Sequence, residues 1–255
     1  MGSLIKILGI IVVCFGILIG ARLILFPDNP NAPTKGETVA TVIEVNQLEI
    51  PPIDQTDCKE YSIEINNGVP LFTKEEIKEA AETGYYVRLS DFDELKRTQT
   101  AMMCADEEHI MQEERENSPS TFEPTGWHRN AIYERCHLLM WKLSGPDDLK
   151  NLITGTEYFN QVEMLNYEMK VTGYLWDHPG NHVLYRVTPF YEGEELLARG
   201  VLMEAYSIED DGAFRMCEFV YNAQPGSEVV YETGAYHMYE SWEEAVGETA
   251  AASGE

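Results

Sequence analysis

Tyr133-Glu134-Arg135-Cys136-His137-Leu138-Leu139 is the stretch on which the reading of this chain turns. Lys150-Asn151-Leu152-Ile153-Thr154-Gly155-Thr156 and Tyr158-Phe159-Asn160 follow it at short range. One histidine, a basic residue two positions before it and two downstream asparagines are an unusual collection for a short region. Histidine titrates near neutrality and can take a proton from water. A carboxamide oxygen can ligate a hard divalent cation without neutralising it. Core packing alone gives no reason to gather these residue types.

Outward from this stretch, the chain is mixed in character. Tyr61 to Ile65 reads as a short strand before an Asn-Asn-Gly turn. Thr73 opens a helix through Ala81, with Glu75 and Glu76 in its first turn, where acids complement the helix dipole. Tyr85 to Leu89 reads as a strand, and the acidic, Met-containing stretch Met102 to Asn117 as a helix. Thr156 to Leu175 is the best helix of the functional half. His182 to Phe190, Leu196 to Ile208 and Phe214 to Asn222 are rich in β-formers, the last two joined through Glu209-Asp210-Asp211-Gly212 as a hairpin. The sum is an α+β domain with a central mixed or antiparallel sheet flanked by helices, over roughly residues 50–240 and without internal repeats.

The flanks read differently. Ile7 to Ala21 is uncharged and apolar, and the run continues to Phe26 past Arg22. Residues 1–26 therefore reach the roughly 20 apolar residues that a membrane-spanning helix needs. With no small-residue cleavage site after the apolar core, an uncleaved anchor is favoured over a signal peptide. Lys6 and the amino terminus place the short end in the cytoplasm and the body outside the cell. Residues 27–49 begin with a Pro- and Asn-rich linker, and residues 241–255 are a small, polar tail expected to be disordered.

The 255 residues carry 18 basic and 44 acidic side chains, a formal net charge of -26. Such a chain is repelled at long range by nucleic acid and anionic lipid, which argues against a DNA-coating protein. The imbalance is uneven: between Arg129 and Lys170 stand Arg129, Arg135, Lys142, Lys150 and Lys170 against Glu134, Asp147, Asp148, Glu157, Glu163 and Glu168. That stretch is close to neutral but has no broad basic footprint. Of five cysteines, Cys14 lies in the apolar run, and Cys58, Cys104, Cys136 and Cys217 form no CxxC pair, so a zinc ribbon is excluded. Outside the cell one or two disulfides can form; buried free thiols fit equally.

Taken together, Thr125-Gly126-Trp127, ERCHLL, KNLITGT with Asn160, NHVLYRVTP (residues 181–189), ARGVLMEAYSIED (198–210) and YNAQPG (221–226) resemble the DNA/RNA non-specific endonuclease family. A weaker likeness covers EINNGVPLFT (64–73). The nearest resemblance is to bacterial membrane-attached DNA-entry nucleases. The family implies a ββα-metal, or His-Me finger, fold and hydrolysis of DNA and of RNA. On this sequence it implies His137 as the catalytic base on the first finger strand and Asn160 as the ligand of Mg²⁺, with Mn²⁺ as substitute. Arg135, Asn151 and Glu168 match its supporting residues.

This chain departs from the family at Glu134, where Asp or Asn is usual, and at Glu157, Glu163 and Asn166. Those changes weigh on substrate binding more than on chemistry. In a straight α-helix Asn160 and Glu168 lie roughly 12 Å apart along the axis, so both cannot ligate one ion directly: either the helix breaks near Glu163 to Asn166 or Glu168 acts through water, and the second is preferred. His128, His178, His182 and His237 lack supporting groups and read as structural. The residues admit blander roles too: Asn151 as a turn or cap residue, Asn160 and Glu168 on solvated faces, Arg135 paired with an acid. The alternative to an enzyme is a cell-surface binding module of the same fold that has lost catalysis through acidification.

Overall fold

The computed structural model describes residues 48, 50–55, 60–112, 121–129 and 132–239, all within one compact unit, Ala40–Glu255. The expected membrane span, the expected linker apart from Leu48, and the expected tail lie outside those residues. Among the described residues no helix is long and apolar enough to cross a membrane.

Alternation of apolar residues builds a six-stranded sheet. Strands β1 (Ser62–Glu64), β2 (Tyr86–Leu89), β3 (Ala101–Asp106), β6 (His182–Phe190), β7 (Gly200–Ser207) and β8 (Arg215–Tyr221) lie in the order β1-β8-β7-β6-β3-β2. Every pairing is antiparallel. Successive side chains of a strand point to opposite faces, and the two cores follow that rule. Met103, Val183, Tyr185, Val187, Val201, Met203, Ala205, Met216 and Val220 share one core. Leu202, Cys217, Phe219 and Tyr221 face the other way, as do Cys104 and Leu184.

Each face has its own cover. Helix α1 (Lys74–Thr83) and the side chains of Leu48, Ile50 and Ile53 lie on the second face. Helix α1 starts where the sequence indicates, because Thr73 and Glu76 form a reciprocal capping box. The other face carries a finger: strand β4 (Tyr133–His137), strand β5 (Leu152–Thr156), a π-helical stretch Phe159–Met164 and helix α2 (Leu165–Asp177). Its Cys136, Ile153, Phe159, Met164, Val171 and Leu175 are in the core with the sheet. A small hairpin, β9 (Ser227–Val230) with β10 (Ala235–Met238), packs Val229 and Tyr231 near Ile132 and Tyr133.

Between α1 and the sheet lies a buried charge network. Arg186 and Glu204 are register partners across β6 and β7. The guanidinium donates Nε to Glu204 Oε2 at 2.7 Å and Nη2 to Oε1 at 3.0 Å. Arg186 Nη1 also donates to Glu76 Oε1 at 3.0 Å, while Leu71 N donates to Glu204 Oε1 at 2.7 Å. The helix cap and the sheet are thus joined through one arginine, whose pKa these acids hold up against the opposing effect of burial.

Three expected elements are corrected. The acidic stretch from Met102 is no helix: Ala101–Asp106 is a central strand, bonded to β2 and β6 on its two sides. Its buried, alternating side chains fit the pleat, and tertiary pairing overrides the helix propensity of Met and Ala. The strand expected from Leu196 begins instead at Gly200, because the amides of Leu196 and Leu197 both donate to Tyr231 O at 3.0 Å. The helix expected from Thr156 starts later, since Thr156 ends β5. The cysteines Cys104, Cys136 and Cys217 are buried free thiols; Cys14 and Cys58 lie outside the described residues.

Candidate active site

Strand β4 carries most of the expected residues and sorts them by parity. Glu134 and Cys136 project toward the finger helix and Arg135 to the opposite face, while His137 closes the strand. Cys136 is fully buried, its thiol pushed well above the usual range by burial, with Glu134 and Glu168 adding to the effect. Glu134 is paired with Gly155 of β5. A side chain at Gly155 would meet Cys136 Sγ at 2.4 Å and the Phe159 ring at 2.6 Å. The glycine in Lys150–Thr156 is therefore required by the close approach of the strands to the helix start.

The carboxylate of Glu134 reaches the start of the finger helix. Its Oε2 accepts from Asn160 Nδ2 at 2.6 Å and from Gln161 Nε2 at 2.9 Å. The Asn160 amide is thereby oriented: its NH₂ points at Glu134, which turns Oδ1 the other way. Asn160 sits in the π-helical stretch, the kind of local widening often found at functional sites. The change from π to α winding comes between Met164 and Leu165, so the straight-helix geometry expected between Asn160 and Glu168 does not hold. Glu168 is not on a solvated face; it is 6% exposed. Burial pushes its carboxyl up to about 8, within electrostatic reach of Cys136 and Tyr185.

His137 ends β4, opposite Leu152. Its Nε2 lies 3.0 Å from Asp147 Oδ1. The strand relates it to the Glu134–Asn160 pair: three residues of extended chain, about 10 Å. Arg135 stacks its guanidinium 4.0 Å from the Trp127 ring centroid and donates Nε to Phe122 O. Both are ties to the segment before β4. Asn151 is fully buried and holds the loop that follows His137. It accepts from Leu139 N at 2.9 Å and donates to Leu139 O and Pro146 O, each at 3.0 Å. The structure thus brings together Glu134 with Asn160, and His137 with Asp147, while Asn151 and Arg135 are bonded to backbone and ring.

Three residues escaped sequence reasoning. Glu134 entered it only as a departure from the family pattern, yet it positions Asn160. Asp147 entered only as a charge. Asn222, in the Tyr221–Gly226 string, fastens the finger to the sheet: it accepts from Thr156 N at 2.9 Å and donates to Thr154 O and Ala198 O at 3.0 Å. A buried asparagine beside a strand end is the signal that could have marked it. The histidines read as structural do have local partners: His128 bonds Thr233 O, His178 stacks on Tyr174 and His182 pairs with Glu209.

The pair Glu134 and Asn160 offers oxygen donors, as a hard cation requires. Among the described residues no three His, Cys, Asp or Glu side chains form a ready metal cage. A cation held here would rest on the Asn160 oxygen, beside Glu134, and keep a largely aqueous shell. The residues fit such an ion.

Fold and site together define a ββα finger mounted on an antiparallel sheet. The chain belongs to the DNA/RNA non-specific endonuclease family, whose model matches residues 75–209. A deoxyribonuclease of Streptococcus dysgalactiae subsp. equisimilis is 34% identical over 111 residues, 42% of this chain and 33% of that protein. The chain thus matches about a third of that relative's length. NucA of Streptococcus agalactiae, solved with a magnesium ion, superposes with a TM-score of 0.60 at 22% identity, over 69% of this chain and 85% of NucA. Sda1 nuclease with bound zinc gives 0.54 at 25% identity, over 61% and 82%.

Proposed function

We propose that this chain is a divalent-cation-dependent endonuclease that hydrolyses phosphodiester bonds of DNA, and of RNA, without strong sequence preference. The observation that carries the reading is the Glu134–Asn160 bond, which aims a neutral amide oxygen away from its only charged neighbour in that bond, inside a finger that the family model covers. His137 takes a proton from the attacking water as the water's oxygen bonds phosphorus. The P–O3′ bond then breaks, and the departing oxygen gains a proton from solvent. A divalent cation, when bound, supplies charge neutralisation on the phosphoryl and leaving oxygens. Asn160 would hold it, Glu134 orients Asn160, and Glu168 offers a carboxylate that ionises once a cation is near. Magnesium is favoured by the oxygen donors and by the NucA precedent.

Substrate affinity is expected to be weak and strongly salt-sensitive. Of the finger's bases, Lys150 is paired with Asp91 at 2.6 Å, and Lys142 and Lys170 lie over the rings of Trp176 and Tyr167. Few positive charges then meet the phosphates. The apolar run at residues 7–26 would anchor the body outside the cell membrane; retention in carbonate-washed membranes tests that part alone.

Plasmid degradation with Mg²⁺ and with chelator, run beside His137→Ala and Asn160→Ala, tests the nuclease reading. Cleavage should need the metal and be lost in both variants. Equal cleavage by wild type and His137→Ala would sink the assignment. A folded wild-type chain inactive with every divalent ion would favour the binding module instead.

A further inference from the structure

We infer that Asp147 is the positioning carboxylate of His137. This deepens the nuclease reading and rests on it. The loop between the finger strands is built to deliver that side chain. Gly145 N donates to Met140 O at 3.0 Å, and a Cβ at Gly145 would stand 1.8 Å from Leu139 O, so the chain turns there only as glycine. Pro146 fixes the next φ, and its carbonyl accepts from both Asn151 Nδ2 and Asp148 N, each at 3.0 Å. Asp148 in turn accepts from Lys150 N at 2.8 Å. With the backbone pinned on either side, Asp147 is set against the ring.

The pair is sheltered unequally: the His137 side chain is 11% exposed and that of Asp147 34%. A carboxylate 3.0 Å from Nε2 fixes the ring's orientation and favours a proton on that nitrogen. It also stabilises the imidazolium formed when the ring accepts the proton of water, without itself becoming protonated. Among the described residues, the neighbouring charges have partners of their own. Arg135 stacks on Trp127, Asp148 takes the Lys150 amide, Lys150 pairs with Asp91, and Glu134 holds Asn160. Buried Asn151 therefore acts on the same dyad at one remove, through the loop.

The test is Asp147→Asn in the full chain, read by the NMR titration of the His137 ring and by the pH profile of kcat/KM with Mg²⁺. The His137 midpoint should fall by roughly 1 pH unit or more, since an opposite charge at this range favours the cation by that much. The acid limb of the profile should move the same way, with kcat reduced and KM kept. Asp147→Glu should restore part of both shifts, and Asp147→Ser should reproduce the Asn result. An unmoved midpoint, or a uniform loss of rate with an unmoved limb, overturns the inference. The ring titration needs no turnover, so a wild type that cleaves nothing defeats the nuclease reading while the titration still decides the role of Asp147.

Discussion

Glu134→Gln isolates the interaction on which the proposed metal site depends. The substitution preserves shape and removes one charge. At present Glu134 Oε2 accepts from Asn160 at 2.6 Å and from Gln161 at 2.9 Å. A hydrogen bond to a charged group contributes about 1.5–3 kcal/mol and a neutral one about 0.5–1.5. Making the Asn160 bond neutral therefore weakens the amide's orientation by about 1–1.5 kcal/mol, close to tenfold in cation affinity. The lost negative charge beside the cation acts in the same direction. Partners of metal ligands commonly change affinity by about 10–100-fold, and the expected result lies in that range. Calorimetric titration with Mg²⁺, paired with the metal dependence of plasmid cleavage, measures it: the half-saturating concentration should rise, and most of kcat should return at saturation. Gln161→Ala removes the second donor and leaves Asn160 in place, so its effect should be smaller than that of Glu134→Gln. Loss of kcat with unchanged metal dependence would refute the argument and move Glu134 to the substrate. So would Asn160→Ala with unimpaired metal affinity.

Other consequences are independent of that one. Glu204→Gln removes the bidentate partner of buried Arg186 and leaves it the Glu76 carboxylate; it should cost about 2–3 kcal/mol in urea unfolding, with activity surviving at low temperature. Glu168 has a folded pKa raised to about 8 against an ordinary 4.5. Between those values the unfolded chain has released the proton and the folded chain keeps it, so stability falls as pH rises through that window and levels off above it. The total is of order 5 kcal/mol. Unfolding midpoints from pH 5 to 8.5 should show the decline, Glu168→Gln should remove it, and Mg²⁺ should reduce it. Asn151→Ala breaks three buried hydrogen bonds and frees the loop carrying Asp147; it should cost about 2–4 kcal/mol and displace the His137 ring titration toward that of Asp147→Asn. Cleavage should weaken steeply between about 50 and 200 mM salt, as phosphate contacts require.

Much of this was legible from local pattern. Alternating β-formers from His182 to Phe190 make a strand of those bounds because the pleat buries both of its faces between two covers. Thr73 with Glu76 marks a helix start, since capping is settled within four residues. The likeness of Glu134–Leu139 and Lys150–Asn160 to one family was enough to place the histidine on a strand and Asn160 on the following helix. Where the sequence misled, the deciding partner was distant. Residues 102–106 suit a helix by composition, but β2 and β6 lie on either side and offer bonds that a helix cannot make.

The sequence by itself determined the alternation that builds the sheet, the Thr73–Glu76 cap that starts α1, and the family to which the chain belongs. Only the tertiary structure decided what the site residues touch. A carboxylate has no address in a sequence: Glu134 reads as a departure until Asn160, 26 residues on, is folded against it, and Asp147 reads as surface charge until a pinned loop sets it beside an imidazole. Those bonds arise from long-range packing of the finger on the sheet, through Asn222 and the core around Cys136, and neither propensity nor spacing encodes them.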